Sequence, residues 1–535
     1  MRRFSVHVHI FFRRPIMRIK TIFIPALVFI LFFKPCFSGE EETLSLSLEE
    51  CIIRTLKDNL NVAVEVINPE LADASLIKAK EFFMPRLDIG FGNERTESPS
   101  YWWLEQADTV TNKDLDYSAT LVQQIPTGGN FSLTLYNNRY ETTAGFQVIN
   151  PRYGSSLRFS LTQPLLKNFG TKVSRREILI ARNNLDISYS QFEKVLIDTV
   201  YRVQEAYWNL VYAIEDYKVK QQSLELAQDL LAKNRKEVEV GKLAQIEILN
   251  AEAVVASREA DILAAEALIR RSEDLLRDLL NLTEEGEMSQ KKIIPLDKPS
   301  FIQEEISLGE ALRKALEKSP DLEMRKKTIE TNELNLNIAR NQLLPNLDLE
   351  FSYWSPGLSG TENVFNPLDP FGPPIDTITH PPSDALKDAF GFKYDNWTVG
   401  LTLSLPLSNF TTKADVVKAR MEMEKSQLEL KNLEKQVYLD VKDALRDIET
   451  NFKRVEAYRV ARELAEKRLE AEVKKLNVGL TTNYFVLQYQ DELAKERSLE
   501  LKSLVDYNLA LARLEKALGT SLEKRKITIS QFIGE

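Results

Sequence analysis

The sequence predicts an α+β chain of two tandem repeats, each ordered helix–strand–strand–long helical hairpin. Its strands are patterned either to wall a membrane β-barrel or to pack as an exported sandwich. Three observations lead there. A basic and then apolar leader is followed by no second apolar run long enough to span a membrane. Short segments alternate apolar and polar residues, which gives a strand one apolar and one polar face. Landmarks from the first half then recur in the second at fixed offsets, beside long stretches with heptad spacing.

At the N-terminus, Arg2, Arg3, Arg13, Arg14, Arg18 and Lys20 precede an apolar core from Ile22 to Phe33, and Cys36-Phe37-Ser38 puts small residues at the cleavage-specifying positions. Residues 1–38 therefore read as an export signal, with Met17 as a second candidate start. The apolar core is short for a spanning helix, and Cys36 lacks the preceding Leu and small residues of an acylation site. The chain beyond the leader is either soluble or crosses a membrane as a β-barrel, the other way to satisfy backbone polar groups in lipid.

Two repeats occupy that chain. Leu46-Ser47-Leu48-Glu49-Glu50 returns as Ile306-Ser307-Leu308-Gly309-Glu310, an offset of 260 that also carries Pro85-Arg86-Leu87-Asp88 onto Pro345-Asn346-Leu347-Asp348. Leu161-Thr162-Gln163-Pro164-Leu165 matches Leu403-Ser404-Leu405-Pro406-Leu407, and an offset of 238 then takes Val240-Gly241 to Val478-Gly479 and Leu280 to Leu518. The repeats span 39–300 and 301–535. Each opens with a helical stretch (47–84, then 307–344) that runs into a proline and alternating residues. Strands are expected across about 86–164 and about 346–406.

Leu87, Ile89 and Phe91 alternate with Asp88, Gly90 and Gly92, while Trp397, Val399, Leu401 and Leu403 alternate with Thr398, Gly400 and Thr402. An extra hairpin is expected from Leu115–Ile125 and Phe131–Tyr140, turning at Pro126-Thr127-Gly128-Gly129-Asn130. Ser355 to about Asn396, rich in Pro, Gly and Asn, reads as a long exposed loop containing His380. Tyr101, Trp102, Trp103, Tyr136, Tyr140, Tyr353, Trp354, Tyr394 and Trp397 gather near strand ends, as they would in the aromatic girdle of a barrel or a sandwich core.

Long helical hairpins close each repeat, at about 172–281 and about 412–519. Phe192, Leu196, Thr199, Val203, Ala206, Leu210 and Ala213 fall on alternating four- and three-residue steps, as do Val437, Val441, Ala444 and Ile448. Such spacing predicts supercoiled helices roughly 100 Å long. Gly241 and Gly479 stand where each long helix must release the chain into its return.

Composition excludes most chemistry. Beyond residue 38 the 535-residue chain holds one histidine, His380, and one cysteine, Cys51. No zinc site, disulfide framework or His-based catalytic group can be built from them, so no catalytic, cofactor or metal site is expected. A hydrolase using Asp376 and Asp384 in the 355–396 loop would lack partners. Removing the leader leaves 63 basic against 79 acidic residues, a charge of −16 that argues against nucleic acid as a partner.

Leader, duplication, element order, proline junctions and the two Val-Gly tips together resemble the TolC family of outer-membrane efflux proteins. The resemblance runs from Leu46-Ser47-Leu48-Glu49-Glu50 to Ala517-Leu518-Gly519, with Gln163-Pro164-Leu165 between. It implies a homotrimer whose strands close one β-barrel in outer-membrane lipid, continued by a periplasmic coiled-coil α-barrel. It further implies the channel component of a tripartite efflux or type I secretion system, a passive duct served by a periplasmic adaptor and an inner-membrane transporter. Carried over residue by residue, Val240, Gly241, Lys242 and Leu243 with Val478, Gly479 and Leu480 become adaptor-docking tips. Glu247 matches an acidic constriction position, whereas Phe485, Gln488 and Thr481 depart from the family's charged lock and imply a polar and aromatic constriction. The hairpin at 115–140 would either widen the family's usual twelve-stranded barrel or fold outside it. The competing reading is an exported structural coiled-coil envelope protein or adhesin stalk.

Overall fold

The computed structural model describes residues 43–282, 291–303, 306–368 and 372–532; the expected leader, with Met17 and Cys36, lies outside them. Two compact units result. One comprises Lys78–Glu177 and Leu336–Val417; the other comprises Gly39–Ile77, Ile178–Asn335 and Lys418–Glu535.

In chain order the elements are β1 (Thr43–Leu46), α1 (Leu48–Asp58), α2 (Leu60–Glu81), β2 (Arg86–Pro99), β3 (Thr109–Gln124), β4 (Asn130–Thr142) and β5 (Ile149–Pro164). A short α3 (Thr171–Ser174), then α4 (Arg176–Glu239), α5 (Ile246–Leu279) and β6 (Lys292–Pro295) complete the first repeat. The second holds α6 (Leu308–Lys318), α7 (Pro320–Asn341), β7 (Asn346–Val364), β8 (Asp376–Thr379), α8 (Pro382–Phe390), β9 (Asn396–Ser404), α9 (Phe410–Asn477) and α10 (Asn483–Ala517).

The helical unit repeats in packing as it does in sequence. Ser47 caps α1 with a capping box to Glu50, and Ser307, 260 residues on, caps α6 by accepting from the Glu310 amide. Each helical stretch expected as one is two, because α1 stops at Asn59 and α6 stops at Ser319, again 260 apart. In both, an extended cap residue ends the first helix before the next begins. Cys51, Thr55 and Val62 are buried in the first repeat, and their equivalents Ala311, Ala315 and Leu322 in the second.

Along α4, Phe192, Leu196, Val203 and Leu210 are inaccessible, joined by Val200 and Tyr207, which the heptad did not include. Burial is therefore wider than a two-position seam, as a helix packed on several neighbours requires. Tyr207 donates to the Leu46 carbonyl and to Asp297, tying α4 to the small parallel β1–β6 sheet that period-two patterning missed. None of the described helices is long and apolar enough to cross a membrane.

The other unit is a seven-stranded sheet in the order β2-β3-β4-β5-β7-β8, with β9 also on β7. Every neighbouring pair is antiparallel. The stretch expected as an exposed loop is a correction: β7 runs on to Val364, and β8 and α8 follow. Its small residues serve packing rather than disorder. Ser355, Ser359, Ala385 and Ala389 are all buried, Ser355 donates to the Asp388 carbonyl at 3.4 Å, and a Cβ on Gly357 would clash with the Ala385 carbonyl of α8. His380 is exposed, with its amide on the Gly360 carbonyl.

Candidate functional site

Register fixes what each face of the sheet carries. Leu87 of β2 lies opposite Leu121 of β3, which lies opposite Leu133 of β4, and Leu133 opposite Phe159 of β5. Phe159 meets Tyr353 of β7, which meets Trp397 of β9. Because side chains alternate, odd-numbered residues share one face from β2 to β9, except beyond the register shift between Ile149 and Arg152 of β5. Over residues 87–91, 117–121, 131–135, 157–161, 347–353 and 397–403 that face is an apolar band, where Ile89 is 79% exposed, Phe91 67%, Trp397 66% and Leu401 66%. Beyond the band it carries the Lys113, Arg139 and Glu141 ion pairs and the α8 contact at Gly357. Ring pairs Phe91–Tyr117, Phe131–Phe159 and Phe159–Phe351, with centroids 5.4, 6.1 and 6.3 Å apart, run across it. An apolar surface spanning neighbouring strands without interruption marks a partner or a membrane, not a soluble exterior.

The opposite face is polar. Thr120 and Thr134 hydroxyls meet at 3.1 Å, Ser160 and Ser352 at 3.2 Å, and Asn138 donates to Asp114 at 3.3 Å. Here the expected aromatic girdle divides. Tyr353 and Trp397 share the apolar face, but Trp354 stacks under Arg158 at 4.7 Å and Tyr140 under Arg152 at 5.0 Å on the polar one. Parity decides it: Tyr136, Tyr140 and Trp354 are even-numbered, so their rings cannot reach the apolar side.

At the helical hairpin tips, both long helices end identically. Lys242 donates to the Glu237 carbonyl at 2.8 Å and Gly241 to Val238 at 2.9 Å; Leu480 donates to Lys475 at 3.0 Å and Gly479 to Leu476 at 3.1 Å. This is the paired Schellman pattern, and it needs a left-handed residue. Gly241 supplies φ +75° and Gly479 φ +76°. Val240, Gly241, Lys242, Val478, Gly479 and Leu480 are exposed and Leu243 is half-buried. Glu247 is half-buried with its carbonyl on Asn234 at 3.4 Å. Gln488 is exposed, and Phe485 packs edge-on to Tyr484. Among the described residues no hydrogen bond joins Glu247 to Phe485 or Gln488.

Sequence reasoning missed a clasp at the second tip. Thr481 donates its hydroxyl to Glu472 Oε1 at 2.5 Å, and Lys475 lies 3.1 Å from Glu472 Oε2. These bonds hold the Glu472 carboxyl below its ordinary range, the Thr481 hydroxyl first and Lys475 next. The 238 offset was the available signal, since it places Glu472 on Asn234, the buried residue that crosses the first tip. A second omission is Arg258. It is 5% exposed and donates to the Ser223 carbonyl at 2.5 Å and to Leu487 and Gln490 at 3.3 Å, joining the first hairpin to α10.

Asp376 opens β8, and Asp384 pairs with Lys387 at 3.1 Å on the surface of α8. Neither is gathered with other groups into a metal-binding cluster among the described residues.

A chain that carries both a sheet with an apolar band on one face and a polar opposite face, and duplicated helical hairpins, has the protomer fold of an outer-membrane channel. Solved structures share it. The outer-membrane channel OprN aligns with a TM-score of 0.62 at 14% identity, covering 88% of this chain and 90% of that one. The Campylobacter jejuni CmeC channel gives 0.59 at 15%, covering 95% and 99%. The open state of the Neisseria gonorrhoeae MtrE channel gives 0.59 at 17%, covering 89% of each. No curated protein sequence matches. The family model for outer membrane efflux proteins matches residues 129–282 and 311–520. The chain belongs to that family: it is an efflux protein of the outer membrane that extends into the periplasm, and its family is one of channels rather than enzymes.

Proposed function

We propose that the chain is the passive outer-membrane duct of a tripartite efflux or type I secretion system, working as a homotrimer with a periplasmic adaptor and an inner-membrane transporter. The observation that carries this reading is the apolar face that continues across β2, β3, β4, β5, β7 and β9 over a polar one. In lipid such a sheet must close on copies of itself, because open edges leave backbone groups unpaired. Apolar side chains on the helices support neighbours too: Leu60, Val64, Ile67 and Leu71 of α2 and Val460 and Leu464 of α9 are each at least half exposed at helical spacing.

The Val240–Leu243 and Val478–Leu480 tips are the adaptor-docking surface in this reading, and Glu247, Phe485 and Gln488 narrow the periplasmic end. Opening shifts the tip hairpins, and the transporter supplies the energy. Deleting 235–250 and 473–488 should leave trimers with single-channel conductance but abolish export. Retained export would remove the tips from the mechanism, and a variant-independent lack of conductance would remove the duct.

A further inference from the structure

From the strand count we infer that each protomer contributes six strands to the wall, so that the trimer closes an eighteen-stranded barrel whose outer end admits solutes of peptide size. The inference rests on the trimeric reading above. The sheet holds seven strands, but β8 and β9 occupy the same side of β7, β8 on Thr361–Val364 and β9 on Asn346–Trp354, so they share one place in the wall. Six places remain.

The hairpin β3–β4 is an integral part of this wall. β3 pairs with β2 from Arg86↔Val122 to Pro99↔Thr109, and with β4 from Gln124↔Asn130 to Asn112↔Thr142. β4 pairs with β5 from Asn130↔Thr162 to Tyr140↔Arg152. A flap outside the barrel would have no reason to repeat the wall's patterning. Tyr117, Ala119 and Leu121 of β3 and Phe131, Leu133 and Leu135 of β4 nevertheless continue the apolar face in register.

Six alternating strands leave β2 and β9 running oppositely at the two free edges. The β9 edge of one protomer can therefore pair antiparallel with the β2 edge of the next, at any copy number. Both edges lie within the apolar face, where unpaired amides and carbonyls are not tolerated. With strands about 4.8 Å apart and tilted about 40°, eighteen strands give roughly 36 Å between opposite backbones, against roughly 24 Å for twelve.

Two measurements on the full chain test this. Cysteine at Ile89 combined in turn with cysteine at Val399, Leu401 or Leu403 should give a disulfide ladder ending at trimer, and the F91C/Y117C pair should close within one protomer. In planar bilayers, neutral polymers about 20 Å across, added from the extracellular side only, should enter the lumen and lower its conductance. A ladder ending at trimer with these polymers excluded and no F91C/Y117C bond would overturn the widened wall and leave the trimer standing. A ladder ending at dimer would overturn the trimer, and the eighteen strands with it.

Discussion

Replacing Gly241 and Gly479 by alanine should loosen both hairpin tips. At φ +75° and +76° an L-residue with a Cβ costs about 1–2 kcal/mol. An added Cβ would meet nothing within 4 Å at either position, so the penalty is conformational and not steric. Alanine also restricts the unfolded chain, which returns about 0.4–1 kcal/mol. The net loss is about 1 kcal/mol per tip, or about fivefold in local opening. Hydrogen exchange at the Lys242 and Leu480 amides, whose bonds to Glu237 and Lys475 depend on the left-handed glycine, should quicken by that factor. Gly309→Ala is the control: Gly309 lies within α6, outside the left-handed region and with open space around it. That variant should gain up to about 1 kcal/mol and leave the tips unchanged. Tip exchange that is unaltered or slower in the Gly241 and Gly479 variants would refute the argument.

Single contacts give further expected outcomes. Leu401→Arg, on the apolar face, should cost about 2–4 kcal/mol of folding in lipid at the bilayer midplane, while Thr402→Arg on the polar face should fold and alter conductance; heat-modifiable gel mobility reads both. Glu472 has a depressed folded-state pKa, so its contribution is present above the ordinary carboxylate value and lost as pH falls through the depressed one. Thr481→Val removes the larger cause and should flatten the acid limb of thermal stability, measured from about pH 3 to 6. Cys51 is inaccessible and burial pushes its thiol up to about 12, so thiol reagents at pH 8 should label it only after unfolding.

Much of this architecture is written in local pattern. Leu87-Asp88-Ile89 and Trp397-Thr398-Val399 announce their faces by alternation alone, and the Pro126–Asn130 turn falls between β3 and β4 as its composition requires. Gly241 and Gly479 were legible because a long helix free of glycine can end in a tight turn at few other places. The features that were missed depend on contacts distant in sequence. Ser355 and Gly357 look like loop composition until α8 presses on them. β1 and β6 are too short for periodicity to register and pair across the whole first repeat. The assignment of Trp354 and Tyr140 to a girdle failed because composition was read without parity. Arg258 and Glu472 are ordinary charged residues in a charged helix, and only the packing of one hairpin on the other buries Arg258.

Alternating thiol accessibility along β4 tests the central claim most directly. In a chain with Cys51 replaced by serine, single cysteines are placed at each position from Phe131 to Tyr136 and probed in intact membranes with a charged, water-borne reagent. Ser132, Thr134 and Tyr136 positions should react, and Phe131, Leu133 and Leu135 positions should react only with a lipid-soluble reagent. Uniform labelling by the charged reagent, or labelling without alternation, would show that this sheet does not divide lipid from water.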